Sequence, residues 1–343
     1  MWHSSCKVQC VCDARNHWRH GFVNGLARSL ARLWKRASGK MNSFSPPDVS
    51  ICMVSLNCRG VLKNCLDSLC SSVLPFSYEV IVVDNASSDD TVAEVKAYDF
   101  PRLRLLRNDK NVGFTKATNQ AIKLSSGRYI LWLNTDTVLK PGALHQLCLY
   151  LDDNPKVGIV GPMVLNADGT FQPQCRRGLP TPWASLAHLL RLDLLWPRHA
   201  GIGQYLLSYL PVEQACQVDA VSGCCLMARR QVWNDVGPLD EDYFGFGEDL
   251  DWCARAKKAG WEVWYYPRSV IVHLKGQGGV HAKPYHKVWG IHQAMQMFYF
   301  KHLKANYPWF VTGLVYSAIW FSFVISGAMV WLKQITQGRL RSS

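Results

Sequence analysis

The chain is 343 residues long, with 48% hydrophobic residues, 18% charged residues and a formal net charge of +13. This composition is typical of a globular protein with a large core, and it excludes a disordered or low-complexity chain. A basic balance suits nucleic acid, anionic lipid or a phosphorylated substrate as a partner. The sequence contains no nucleic-acid-binding motif, so we expect no nucleic-acid partner.

Residues 1–47 are predicted to be a basic leader followed by a linker. Leu26 and Leu30 recur at helical spacing, while Arg28 and Arg32 fall largely on the other side. This pattern favours an amphipathic helix lying on an anionic membrane surface. The alternative is that the leader is disordered or not native to the protein.

From residue 48 onward, short apolar runs alternate with segments of helical spacing. The predicted strands are VSICMV (49–54), EVIVVD (79–84), RLRLLRN (102–108), RYILWLN (128–134) and KVGIVGPMVL (156–165). The predicted helices between them cover residues 60–72, 87–98, 115–127 and 141–154. Because the strands are apolar throughout, we predict an α/β fold with a mainly parallel sheet and helices on both faces.

Small polar residues, and one glycine, follow four of these strands. They are Asn57 after the first strand, Asp84 and Asn85 after the second, Asn108, Asn111 and Gly113 after the third, and Asn134 and Asp136 after the fourth. In open parallel sheets, ligands bind beyond the carboxyl ends of the strands. The sequence therefore predicts a ligand site along one rim of the sheet.

Three acids, Glu248, Asp249 and Asp251, open a predicted helix that ends at Gly260. Acids in a first turn complement the helix dipole, so the pattern alone is compatible with a structural role as well as with proton transfer. Residues two apart do not share a helix face, so Asp249 and Asp251 should point in different directions. Asp251 is predicted to pair with Arg255, four positions further on.

Residues 309–332 form an uncharged apolar segment that is predicted to be a membrane helix or a re-entrant segment. Its length exceeds the ~20 residues needed to cross a hydrocarbon core. Trp309 and Trp331 fall near its ends, where interfacial anchors belong. A basic amphipathic helix is predicted over 281–308 and a basic tail over 333–343. The alternative is a helix buried in a soluble core.

Six motifs occur in this order along the chain: VSLN (54–57), VVDNASSDDT (82–91), RNDKNVGF (107–114), LNTDT (133–137), GEDLDWCARAKKAGW (247–261) and VIVH (270–273). Taken together, these motifs resemble the family 2 glycosyltransferases with the GT-A fold, and most of all the bacterial rhamnosyltransferase-type members. The resemblance implies a GT-A domain over residues 48–280.

The resemblance also implies roles for individual residues. The nucleotide-binding set comprises Asn57, Asp84, Asn85, Ser87, Asn111, Gly113, Asn119, Asn134 and Asp136. Asp136 would hold a divalent cation, Mg²⁺ or Mn²⁺, against the donor diphosphate, and His273 would complete that metal site. Asp249 matches the general base, and Glu248 would tune or orient it.

The chain departs from the D-x-D motif of this family, because Asn134 replaces its first carboxylate. This change leaves one fewer anion for a hard cation.

Arg176 and Arg177 are candidates for contacts with a diphosphate or an anionic acceptor, since guanidinium groups suit phosphate oxygens. The alternative is a solvated pair on a loop.

The implied activity is an inverting transfer of a sugar, with rhamnose as one candidate, from a dTDP-, UDP- or GDP-sugar. The acceptor would be a hydroxyl of a lipid-linked or growing bacterial surface polysaccharide, at the cytoplasmic face of the inner membrane. Two other hypotheses stay open on the sequence. They are a catalytically silent glycan- or nucleotide-binding membrane protein and a glycoside hydrolase with paired carboxylates.

Overall fold

A computed structural model describes residues 46–72, 74–100, 102–276 and 284–341, apart from the side chains of 284 and 337–341. The predicted amphipathic leader falls in residues 1–45, outside the described part of the chain. The end of the predicted GT-A domain, from 277 to 280, also lies outside it.

The strands carry the labels β1 to β11 in chain order. They are β1 (Val49–Ser55), β2 (Tyr78–Asp84), β3 (Arg104–Arg107), β4 (Tyr129–Leu133), β5 (Thr137–Leu139), β6 (Val157–Leu165), β7 (Arg176–Arg177), β8 (Cys216–Gln217), β9 (Ala220–Val221), β10 (Cys225–Arg229) and β11 (Glu262–His273).

The helices carry the labels α1 to α10. They are α1 (Val61–Ser71), α2 (Thr91–Lys96), α3 (Phe114–Leu124), α4 (Ala143–Asp153), α5 (Pro182–Leu189), α6 (Leu192–Leu195), α7 (Arg230–Val236), α8 (Glu248–Lys258), α9 (Pro284–Phe298) and α10 (Trp309–Arg341). A π-helical turn, Tyr299–Leu303, follows α9.

Within the described residues, the main sheet has the order β3-β2-β1-β4-β10-β6-β11-β5, with β8 paired to β11. Strands β1 to β4 are mutually parallel, and β6 and β11 are parallel to each other. Strand β10 runs antiparallel between β4 and β6, and β5 runs antiparallel to β11. The prediction of a mainly parallel sheet flanked by helices is therefore confirmed.

The apolar strands are buried on both faces of this sheet. Ile51 and Val82 belong to the larger core cluster, together with residues of α1 and α4. Their neighbours Cys52 and Ile81 point the other way and pack with residues of α3. Because alternate residues meet a helix on either side, these strands show no alternation of polar and apolar residues.

The carboxyl ends of the first strands lie level with one another. Ser55 at the end of β1 is in register with Asp84 at the end of β2, and Asp84 is in register with Arg107 at the end of β3. The backbone N–H of Asn85 donates to the Ser55 carbonyl at 2.8 Å. This register places the polar segments that follow the strands at one rim, as predicted.

The C-terminal helices form a hairpin in which α9 packs against α10. The rings of Trp289 and Phe323 lie 5.7 Å apart, and His292 Nε2 is 3.1 Å from Ser322 Oγ. The segment from residue 309 to 336 is long and apolar enough to cross a membrane. The side chains of Trp320 and Phe321 are each 65% exposed. This exposure is inconsistent with a helix buried in a soluble core.

Candidate active site

Asp84 lies at the centre of the turn that follows β2. Its Oδ1 accepts a hydrogen bond from Ser55 Oγ at 3.3 Å, and its Oδ2 accepts one from the Ser87 backbone N–H at 3.1 Å. Ser87 Oγ in turn accepts from the Asn57 backbone N–H at 2.9 Å. The structure thus brings these three predicted residues together. The Asp84 carboxylate is buried, so a direct contact with a nucleotide base requires the surrounding side chains to move.

Asn85 connects the end of β2 to the loop before α3. Its Nδ2 donates to Asn111 Oδ1 at 2.8 Å, and its Oδ1 accepts from the Asn108 Nδ2 and the Val112 backbone N–H, both at 3.1 Å. Gly113 has a φ of +92°, and a Cβ atom there would lie 2.9 Å from the Phe244 ring. The glycine therefore allows Phe244 to approach this loop closely.

Asn119 lies apart from this group, on α3. Its amide donates to the Leu239 carbonyl at 2.9 Å and accepts from the Leu239 backbone N–H at 3.0 Å. The side chain therefore holds the loop that leads to α8. The contacts of the Asn119 amide to Leu239 account for a structural role. A direct contact of Asn119 with the nucleotide stays a prediction.

Asp136 and His273 face each other beyond the ends of β4 and β11. Asp136 Oδ1 lies 3.2 Å from His273 Nε2, and His273 Nδ1 lies 3.0 Å from Gln172 Oε1. Burial lowers the pKa of His273, but hydrogen bonds to Asp136 and Cys224 outweigh that effect and raise the pKa to about 10. The Asp136 carboxylate thus favours the protonated imidazole, and a bound cation at this position would take the place of the proton on His273.

The residues around Asp136 fit a divalent cation in part. Among the described residues, no group of three or more His, Cys, Asp or Glu side chains is arranged to hold a metal ion. Asn134 Oδ1, however, is buried without a hydrogen-bond partner. A carboxylate, an imidazole and an amide oxygen are suitable ligands for Mn²⁺ or Mg²⁺ when further ligands come from a substrate.

Asp249 lies in the first turn of α8 with its carboxylate held on several sides. Its Oδ2 accepts from Arg177 Nη2 at 2.6 Å and from the Gly223 backbone N–H at 2.8 Å. Its Oδ1 accepts from the Leu250 backbone N–H at 2.7 Å. The side chain is 13% exposed, so it is partly open to solvent. A carboxylate that is fixed by donors in this way can accept a proton.

A short loop, Ser222 to Cys224, joins Asp249 to the cluster around Asp136. The Gly223 backbone N–H donates to Asp249, and the Cys224 carbonyl accepts from the Asn134 backbone N–H at 2.9 Å. The Cys224 side chain lies near His273 and contributes to the raised pKa of that imidazole. The predicted base and the predicted metal ligands therefore lie on either side of one loop. Sequence reasoning assigned no role to this loop. The signal that could have pointed to it is the run SGCC (222–225), which leads into β10.

Glu248 and Asp251 occupy quite different surroundings from Asp249. Burial, followed by repulsion from Asp249, raises the pKa of Glu248 to about 8, and its Oε2 is buried without a partner. Burial also disfavours the charge on Asp251, but hydrogen bonds from His302 and Arg255 hold its pKa below the usual value. The Arg255 Nε–Asp251 Oδ2 distance of 2.8 Å confirms the predicted pair.

Arg176 does not lie at the site, and its predicted contact with phosphate is wrong for this arrangement. The side chain is 1% exposed, and its guanidinium donates to the carbonyls of Leu210 at 2.6 Å and Pro211 at 2.8 Å. It also lies over the rings of Phe171 and Tyr265. Since β7 is extended, successive side chains point to opposite faces, and only Arg177 reaches Asp249.

Two protein-family descriptions match the chain. Residues 50–206 match Glycosyl transferase family 2, and residues 129–336 match Glycosyl transferase family group 2. The chain is also 31% identical over 208 residues to N-acetylglucosaminyl-diphospho-decaprenol L-rhamnosyltransferase of Mycobacterium tuberculosis, covering 57% of this chain and 66% of that relative. The chain therefore belongs to the family 2 glycosyltransferases and is a transferase enzyme. This membership sets aside the hydrolase alternative.

Solved structures show the same fold at low sequence identity. TarS of S. aureus aligns with a TM-score of 0.52 and 16% identity, over 76% of this chain and 40% of TarS. GalNAc-T7, solved with UDP, GalNAc and Mn²⁺, aligns with a TM-score of 0.50 and 14% identity, over 66% of this chain and 43% of that protein. These likenesses show the GT-A fold that the motifs predicted.

Replacing Arg176 by methionine should destabilise the protein by about 2–4 kcal/mol, because buried carbonyl groups lose a charged donor. Thermal unfolding of the purified protein in detergent measures the effect. The matched control is Arg59→Met, which removes an exposed pair with Asp90 and should change stability by less than ~1 kcal/mol. Equal melting temperatures for Arg176→Met and wild type would contradict the anchoring role.

Replacing Glu248 by glutamine should make the protein progressively more stable than wild type as the pH rises from ~5 to ~8. The pKa of this carboxyl is raised in the folded state to about 8. The stability that Glu248 contributes is therefore complete below ~4.3, the pKa of this carboxyl in the unfolded chain, and is lost as the pH rises towards its pKa in the folded protein. Glutamine keeps the neutral form at every pH. Melting temperatures across this range, with the exposed Glu213→Gln as control, should diverge for Glu248→Gln, and parallel curves would refute the assignment.

Proposed function

We propose that the chain is an inverting glycosyltransferase that moves a sugar from a nucleotide-sugar donor to a hydroxyl group of a lipid-linked or growing bacterial surface polysaccharide. The observation that carries this proposal is the loop from Ser222 to Cys224, which contacts Asp249 on one side and Asn134 and His273 on the other. A single displacement needs one base opposite one donor-binding cluster, and this loop supports both.

Asp249 is the proposed general base. An acceptor hydroxyl is a weak nucleophile until a base removes its proton during bond formation. The Asp249 carboxylate is positioned by Gly223 and Arg177 and is partly exposed. The neighbouring Glu248, with its raised pKa, is mostly neutral near pH 7. Asp251, in the same turn, pairs with Arg255 and His302, so Asp249 is the remaining candidate base among the three acids. The helix dipole stabilises negative charge at this position. Attack by the hydroxyl from the face opposite the leaving group inverts the anomeric carbon.

The rim of the sheet is the proposed donor-binding surface. The residues assigned to the nucleotide are Asn57, Asp84, Asn85, Ser87, Asn111, Gly113, Asn134 and Asp136, with Asn119 acting on the loop before α8. Their hydrogen bonds to one another support a preformed turn at the carboxyl ends of β1 and β2. Ligands bind at this position in open parallel sheets.

A divalent cation, Mg²⁺ or Mn²⁺, is the proposed cofactor. Asp136 and His273 would hold it, and the unpartnered Asn134 Oδ1 offers a further oxygen. When bound, such a cation stabilises the negative charge that develops on a diphosphate leaving group. Arg177 carries a second positive charge, which serves to orient Asp249 and the acceptor.

Rhamnose carried by dTDP is the first donor to test, with UDP- and GDP-sugars as comparisons. The relative from Mycobacterium tuberculosis is named as an L-rhamnosyltransferase that acts on a diphospho-decaprenol, and this supports a lipid-linked acceptor. Helix α10 supports attachment to a membrane, since the segment from 309 to 336 is long and apolar enough to span one. The proposed location is the cytoplasmic face of the inner membrane.

Replacing Asp249 by asparagine should lower the rate of sugar transfer by ~10²–10⁴-fold, because the amide cannot accept the proton. Binding of the nucleoside diphosphate should stay within about twofold of wild type, since Asp249 lies across the 222–224 loop from the donor cluster. Transfer is measured as nucleotide release that depends on added acceptor. The exposed Asp153→Asn on α4 is the control, and wild-type turnover by Asp249→Asn would rule out this base.

Nucleoside diphosphate with Mn²⁺ should raise the melting temperature of the protein, because a ligand that binds the folded state stabilises it. At a nucleotide concentration one hundred times Kd, the free energy of unfolding should increase by ~2.7 kcal/mol. The part of this shift that depends on Mn²⁺ should disappear in Asp136→Ala and persist in Asp153→Ala. UDP, dTDP and GDP are compared with and without the cation. No shift with any nucleotide at millimolar concentration would argue against a donor site here, and a shift independent of Mn²⁺ would argue against the cofactor.

A further inference from the structure

An apolar cavity of about 420 Å³ lies beside the candidate active site. Its walls come from α5, the start of α8, α9, the π-helical turn and α10, and they include Leu186, Phe246, Met295 and Ile319. This volume falls within the ~300–1,000 Å³ that is typical of small-molecule sites.

Two residues that line the cavity hydrogen-bond to the proposed base. Arg177 lines the cavity, and its Nη2 lies 2.6 Å from Asp249 Oδ2. Leu250 also lines it, and its backbone N–H donates to Asp249 Oδ1 at 2.7 Å. The cavity is therefore separated from the Asp249 carboxylate by no more than these two residues.

The cavity also adjoins an exposed apolar surface. Leu186 and Leu189 of α5 line the cavity and are also 41% and 46% exposed. The exposed apolar side chains continue along the chain to Leu194 and Trp196, and the exposed Arg191 lies among them. Basic and apolar side chains on one short helical segment are typical of a surface that lies in the headgroup region of a membrane.

The wall opposite α5 belongs to the hydrophobic hairpin. Ala294 comes from α9, while Val315, Ala318 and Ser322 come from α10. Helix α10 is long and apolar enough to cross a membrane, and only 6% of its most apolar window is buried in the protein. The cavity is thus bounded on two sides by elements that suit contact with lipid.

We propose that this cavity holds the hydrocarbon chain of the lipid-linked acceptor, with Arg177 at the end where the phosphate and sugar begin. The inference rests on the proposed function, because it assigns a binding site to that acceptor. The walls provide few polar groups for a sugar or a nucleotide, whereas an apolar chain needs none. Such a chain enters from the bilayer between α5 and α10 and stays in apolar surroundings throughout.

The first test fills the cavity with a large side chain in the full-length protein. Two acceptors are compared that share a sugar-diphosphate head group, one with a long isoprenoid chain and one with an ethyl group. Ala318→Trp should raise the KM for the long-chain acceptor about tenfold, the effect of displacing about two methylene groups from an apolar site. Its kcat/KM for the ethyl acceptor should stay at the wild-type value.

The control for this substitution is Ala328→Trp, an exposed alanine of the same helix. It should leave both acceptors unaffected. An unchanged KM for the long-chain acceptor in Ala318→Trp, or equal increases in both variants, would overturn the cavity assignment. Absence of transfer by wild type to either acceptor would instead contradict the proposed function.

The second test does not depend on turnover or on a folded variant. Wild-type protein in nanodiscs is photolabelled with a benzophenone analogue of farnesyl diphosphate, and the labelled residues are mapped by mass spectrometry. Labelling should fall on cavity residues such as Leu186, Met295 and Ile319 and should be displaced by the long-chain acceptor. Labelling confined to the outer face of α10, or displaced equally well by phosphatidylglycerol, would refute the proposal.

Discussion

The contact between Gly223 and Asp249 is the constraint on which the rest of the site depends. The loop around Gly223 passes between β4 and the start of α8, and a Cβ atom at this position would lie 2.8 Å from Trp132 Cζ2 and 3.3 Å from Asp249 Cβ. Only glycine fits there without a shift of the aromatic ring or the helix. The same loop contacts Asn134 and His273, so the close approach brings both halves of the site together.

The three acids in the first turn of α8 show how surroundings separate chemically similar groups. Asp249 is held by a guanidinium and a backbone N–H, Glu248 is buried beside that charge, and Asp251 pairs with Arg255 and His302. His302 belongs to the turn between α9 and α10, where Lys301 also pairs with acids before α8. The helix that carries the proposed base is thereby joined to the hydrophobic hairpin.

Much of the fold was predictable from local patterns. Strands β1, β2, β3, β4 and β6 and the helices between them follow from apolar runs bounded by turn residues. The rim of polar residues follows from parallel pairing. Strands β5 and β10 were not predicted. Both are short and run antiparallel, and β10 enters the sheet between β4 and β6, which both lie far before it in the chain. No local periodicity reports such distant pairings.

The sequence by itself determined the fold class, the family resemblance and the identity of the acids at the start of α8. Only the tertiary structure decided which of these residues meet. It separated Arg176 from Arg177, buried Asp84, and set Asp249 and His273 on either side of one loop. The physical reason is that hydrogen bonding, burial and charge pairing at this site act between residues far apart in the chain, whereas sequence patterns report backbone preferences over a few residues.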